Sequence, residues 1–178
     1  MDVVFYTLKS ILDGLDISVV KVIPDGRPVA VLQLAHGMCG SKERFLPFMK
    51  YMAGMGVACY ANDHRGHGQS VRTEEDLGYM YGAGEKGIVD DMKLLSGHIK
   101  EEYEGIPLFL LGHSMGSMAV RAYLKKYQEM IDGVILCGSP GYSPAAPLGY
   151  ALSSFLCSCG LGRKRAAIIQ NHTSRMYN

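Results

Sequence analysis

A chain of 178 residues supplies enough material for one domain with a substantial core. Eighteen Lys and Arg stand against seventeen Asp and Glu, and the resulting charge of +1 argues against a nucleic-acid binder or a protein drawn to an anionic membrane surface. The apolar fraction of 48% is ordinary for a globular protein, and the twenty-two glycines fall at strand-to-helix junctions, which predicts many tight turns.

Met1 to Leu15 carry acidic Asp2 early and no basic run ahead of an apolar one, so they do not read as a secretory signal. Alternation at Ile17, Val19 and Val22 predicts a strand that ends at Pro24 and the turn Asp25-Gly26. The next strand, VAVLQLA (29–35), is almost continuously apolar, as in parallel sheets covered on both faces. Phe45, Phe48, Met49, Met52 and Met55 then recur at helical spacing, with Ser41 placed to cap and Gly56 to terminate. A second buried strand, VACYAND (57–63), runs into the polar loop DHRGHGQS (63–70), which continues to about Gly82. Ile88, Met92, Leu95 and Ile99 mark another amphipathic helix, and LFLLG (108–112) a third apolar strand.

Residues 115–128 are largely apolar with a polar stripe at Arg121, Lys125 and Gln128, which predicts a helix buried around most of its circumference. GVILCGSP (133–140) closes the series. Strands alternating with helices predict βαβ units and a doubly wound, mostly parallel sheet. After residue 140 comes an uncharged segment, 145–162, broken by Pro147 and followed by Arg163, Lys164 and Arg165. Its strongly apolar part is too short for a bilayer, and it reads as a buried or pocket-lining piece rather than a transmembrane span.

The segment that carries chemistry is Gly112-His113-Ser114-Met115-Gly116, a G-x-S-x-G between an apolar strand and a helix. A serine on so sharp a turn has its Oγ pushed out above the sheet, and flanking glycines remove the Cβ atoms that would collide there. The helix start behind it offers free N–H groups to a developing oxyanion. A second donor in such an arrangement comes from the loop after an earlier strand, here His36-Gly37-Met38. Ser114 is therefore the expected nucleophile, and the Met38 and Met115 amides the expected oxyanion hole. His36, at the end of a buried strand, is expected to hydrogen-bond its loop rather than to act as a base.

Taken together, His36-Gly37-Met38, NDHRGHGQS (62–70), LLGHSMGS (110–117) and ILCGSP (135–140) resemble the monoacylglycerol lipase and lysophospholipase group of α/β-hydrolases, a group also labelled serine aminopeptidase-like. The resemblance spans about residues 15–178. It implies a serine hydrolase of small lipophilic acyl esters working through an acyl-enzyme on Ser114, with a peptidase of the same fold or a non-catalytic scaffold as alternatives. It also implies that 63–70 is a structural turn, so that His64 and His67 are not the base; no carboxylate cluster accompanies them, so a metal-ligand role is not expected either. Residues 1–144 would form the N-terminal part of the core and 145–178 the start of a cap, whose Leu148, Leu152, Phe155, Leu156 and Leu161 could face an acyl chain.

Chain order in this fold is Ser, then Asp or Glu, then His. Downstream of Ser114 stand only Glu129, Asp132 and His172. Both acids precede the fourth strand and point away from the site, and no strand leads to His172. The triad acid and histidine are thus expected to be absent, the fold to lack its last strands and helix, and the chain to be a truncated product with little or no activity. The strand at 133–138 would then be an exposed edge open to self-association. Cys39, Cys59, Cys137, Cys157 and Cys159 are odd in number, and the C-x-C pair lacks a second pair, so reduced thiols in a cytoplasmic protein are expected. No cofactor, metal, nucleic acid or transmembrane segment is expected, and transient contact with a membrane surface is compatible with the substrate class.

Overall fold

The computed structural model describes residues 1–141, 144 and 146–161. Met1–Pro140 pack as one compact unit, and the described residues from Gly141 on belong to a second. In the first unit six strands form one sheet: β1 (Asp2–Lys9), β2 (Asp16–Ile23), β3 (Ala30–Ala35), β4 (Val57–Asn62), β5 (Leu108–His113) and β6 (Gly133–Cys137), in the spatial order β1-β2-β4-β3-β5-β6. The β3–β4, β3–β5 and β5–β6 pairs are parallel, whereas β1–β2 and β2–β4 are antiparallel. The connections carry α1 (Leu46–Gly54), α2 (Gly84–Glu102) and α3 (Met115–Tyr127).

Successive side chains of β3 go to opposite faces of the sheet. Leu32 and Leu34 meet Met49 and Ala53 of α1. On the other face Val31 packs with Leu95 and Ile99 of α2, and Ala35 with Ile88 and Met92 of α2 and Val120 and Tyr123 of α3. This is the expected doubly wound, mostly parallel sheet, with a helix layer on each side. The one polar residue inside β3, Gln33, is satisfied: its Nε2 donates to the Met92 carbonyl at 3.0 Å and its Oε1 accepts from Ser96 Oγ at 2.7 Å. Tyr123 OH donates to the same Ser96 Oγ, so the pair also ties α2 to α3.

Three local readings change. The N-terminal strand β1 went unanticipated because its side chains are mostly exposed, which leaves no apolar stripe to read. Ser41 stands at the expected start of the first helical segment, but the segment opens as a 3-10 turn (Lys42–Phe45) and the Ser41 hydroxyl makes no capping bond. Helix α3 buries one face only, through Gly116, Ser117, Val120 and Tyr123, while Met118, Ala122 and Lys126 join Arg121 and Lys125 in solvent. Gly56 ends α1 as expected, at φ +82°.

Among the described residues strand β6 is an edge, with Val134, Ile135 and Leu136 exposed. In the second unit α4 (Ala146–Leu156) continues into a π turn, Cys157–Leu161, and carries no buried residue. The rest of the expected cap, and His172 with it, lies outside the described residues. Among the described residues no helix is long and apolar enough to cross a membrane.

Candidate active site

Ser114 is the single residue between β5 and α3, and it holds φ +52° and ψ −119°. A side chain at such angles costs about 1–3 kcal/mol and persists only where its surroundings enforce it. Here they do. A Cβ on Gly112 would stand 2.6 Å from the Gly116 carbonyl oxygen, and one on Gly116 would stand 2.1 Å from that of Ala35. Glycine is therefore the only residue these positions accept without backbone movement, which is the steric content of the G-x-S-x-G spacing. The Ser114 N–H donates to the Cys137 carbonyl at 2.9 Å, so the last residue of β6 also holds the turn.

The loop after β3 closes against this turn. A Cβ on Gly37 would lie 3.1 Å from Ser114 Cβ. A cavity of about 260 Å³ opens between the two segments, lined by His36, Gly37, Met38, Phe45, His113 and Ser114. A larger depression of about 560 Å³ lies near the starts of β3 and β5, bordered by Arg27, Glu101 and Glu104, and holds no nucleophile. The smaller cavity is the one with chemistry.

Behind the cavity the histidines are built into the frame. His36 Nε2 accepts from the His64 N–H at 2.9 Å, which leaves the proton on Nδ1, and Nδ1–H donates to the Gly37 carbonyl at 2.8 Å. Burial pushes the His36 pKa down to about 4, with the Gly37 carbonyl opposing and His67 assisting. His64 Nε2–H donates to the His36 carbonyl, and burial followed by its two histidine neighbours takes His64 well below the ordinary range. His67 lies against the Arg65 carbonyl through Nδ1.

The rest of the 63–70 turn is equally engaged. Asp63 accepts from the Lys42 and Gln69 amides and from Lys42 Nζ, each at 2.8 Å. Arg65, fully buried, meets Asp91 through Nε and Nη2 and Asp13 through Nη1. Among the described residues no group of three or more His, Cys, Asp or Glu side chains is arranged to hold a metal.

The structure brings Ser114, Met38 and the start of α3 to one place. The first amides of a helix have no partner within it, and Met115 is the first residue of α3. Asp132 lies elsewhere: its Oδ2 accepts from the Leu108 amide at 2.8 Å, at the opposite end of β5 from Ser114. Glu129 sits in the turn 128–130 that precedes it. Among the described residues Ser114 Oγ makes no hydrogen bond to a histidine. Sequence reasoning missed Ser117 and Ser139. Ser117 Oγ donates to the Ser114 carbonyl at 2.6 Å and accepts from Ser139 Oγ at 2.9 Å. The only signal was a second hydroxyl three residues after the first, a common spacing without the strained turn beside it.

The chain resembles known proteins over most of its length. Residues 26–166 match the family described as serine aminopeptidase, S33. The chain is 32% identical to a monoacylglycerol lipase of Mycolicibacterium smegmatis over 65% of its own length and 39% of that protein. It is 29% identical to the Mus musculus monoglyceride lipase over 87% of its length and 52% of that protein. Among solved structures it superposes on a thermostable carboxyl esterase from Bacillus coagulans with a TM-score of 0.83 and 27% identity, covering 92% of this chain and 53% of that one. The chain thus spans about half the length, or less, of the relatives it matches.

Proposed function

From the premise that the chain belongs to the serine aminopeptidase S33 family of α/β-hydrolases, we propose that it carries the nucleophile and oxyanion hole of a carboxylic ester hydrolase of the monoacylglycerol lipase type. The observation that carries the reading is the backbone of Ser114, held at φ +52° between two glycines that nothing larger could replace. Ser114 Oγ attacks the acyl carbonyl, the Met38 and Met115 N–H groups receive the oxyanion, and the acyl-enzyme is then hydrolysed. Each such donor is worth about 3 kcal/mol in the transition state.

The substrate class is a small lipophilic ester, supported by relatives named as monoacylglycerol and monoglyceride lipases. Five free thiols, four of them exposed, support a reducing, cytoplasmic setting.

A base for Ser114 is the part of the machinery that the described residues do not supply. The described residues account for binding and oxyanion stabilisation, which alone are worth on the order of 10³ to 10⁴ over water. Prolonged exposure to a fluorophosphonate, followed by peptide mass spectrometry, tests the assignment. An adduct on Ser114 that Ser114→Ala abolishes is the expected result. A chain that stays unlabelled at Ser114 would be a non-catalytic scaffold, and the reading would fall.

A further inference from the structure

A trans peptide is planar, so a carbonyl and the N–H that follows it point to opposite sides. Fixing one fixes the other. At this site two carbonyls are each held by two donors. Gly37 O accepts from His36 Nδ1–H at 2.8 Å and from the Gly40 N–H at 3.0 Å. Ser114 O accepts from the Ser117 N–H at 2.9 Å and from Ser117 Oγ at 2.6 Å. The N–H opposite the first carbonyl belongs to Met38, and the N–H opposite the second to Met115. Neither peptide is cis.

We propose that His36 and Ser117 are positioning residues that lock the two peptide planes whose N–H groups receive the oxyanion. The inference rests on the reading of Met38 and Met115 as oxyanion donors and extends it one bond further out. Each locking side chain is itself held. His36 is anchored through Nε2 by the His64 N–H, and Ser117 Oγ by Ser139 Oγ beyond β6. Turning either peptide would break two hydrogen bonds at once and leave a carbonyl without its partners. The donors therefore stand aimed before any charge develops, which is where electrostatic catalysis gains most. Their misplacement by even an ångström costs on the order of a hundredfold in rate.

The full chain, labelled with ¹⁵N, gives two readouts: backbone order at the Met38 and Met115 amides, and the rate of Ser114 acylation by p-nitrophenyl acetate. Ser117→Ala should loosen the Met115 amide and slow acylation about ten- to a hundredfold with ester binding unchanged, and Ser117→Thr should restore both. His36→Gln keeps an acceptor for His64 but loses the Nδ1 donor, so it should loosen Met38 and slow acylation similarly. His36→Asn, which keeps a donor near the Nδ1 position, should recover most of the rate. Amides that stay rigid in Ser117→Ala, or an unchanged acylation rate once they loosen, overturn the proposal. If the parent chain is not acylated at Ser114, the hydrolase reading fails. The amide measurements then decide the locking alone: loosening upholds it and rigidity ends it. Should the His36 variants fail to fold, the Ser117 pair decides between these outcomes.

Discussion

A Cβ placed on Gly116 would stand 2.1 Å from the Ala35 carbonyl oxygen, inside any contact that two atoms tolerate. The clash is with backbone at the end of β3, so no side chain can swing away to relieve it. Gly116→Ala should lower stability by about 3 kcal/mol or more, because β3 and α3 must separate. Chemical denaturation monitored by circular dichroism checks this. A variant as stable as the parent would mean that the elbow is looser than this contact implies.

Ser114→Gly should do the reverse. Glycine adopts φ +52°, ψ −119° without a Cβ penalty, while its freedom in the unfolded chain offsets part of the gain. A net rise of about 1 kcal/mol is expected, together with complete loss of fluorophosphonate labelling. The same denaturation curves measure it, and a fall in stability would contradict the presence of strain at this residue.

Stability should fall on acidification, starting well above the carboxylate range. In the unfolded chain His36 takes up a proton near its ordinary 6.5, whereas the folded protein refuses it until about 4. The contribution is therefore fully present above pH 6.5 and is lost as pH falls from there to about 4. It amounts to about 3 kcal/mol for His36, and His64 acts in the same direction. Urea midpoints between pH 7 and 4 should show this slope, and His36→Asn should flatten it. A profile that is flat over that range would count against neutral, buried histidines behind the cavity.

Lys42 and Asp63 form an ion pair in which both side chains are fully buried. Lys42→Met removes one charge and leaves the other with only the two backbone donors from residues 42 and 69. The expected cost is about 3 kcal/mol, and the double variant Lys42→Met with Asp63→Asn should regain much of it. Denaturation of the three variants against the parent provides the cycle. Additive losses would show that the two side chains are not coupled.

These cases also mark what could be read from the chain alone. Strands β3, β4 and β5 and helix α2 were legible because burial on both faces, or on one full stripe, writes itself into composition; Ile88, Met92, Leu95 and Ile99 are all buried as spaced. Strand β1 left no such trace, since most of its side chains face solvent. Helix α3 misled for the opposite reason: Met118 and Ala122 are apolar by composition yet exposed, and α3 has helix α2 against only one side. The nucleophile turn was legible through its glycines, whose spacing follows from contacts within a few residues. The bond between His36 and the His64 amide spans twenty-eight positions, and the Ser117 bond depends on where a strained carbonyl points. Neither has a local signature. Both exist only once the chain has folded.

The hydrogen bond from the Ser114 amide to the Cys137 carbonyl has a kinetic consequence. The distorted turn is stapled by a carbonyl that arrives only when the sixth strand pairs with the fifth, across the α3 crossover. During refolding, then, the Ser114 amide should gain protection from exchange only when this non-local strand pairing forms. Pulses of hydrogen–deuterium exchange delivered at successive refolding times would clock the docking of the outermost strand through this amide.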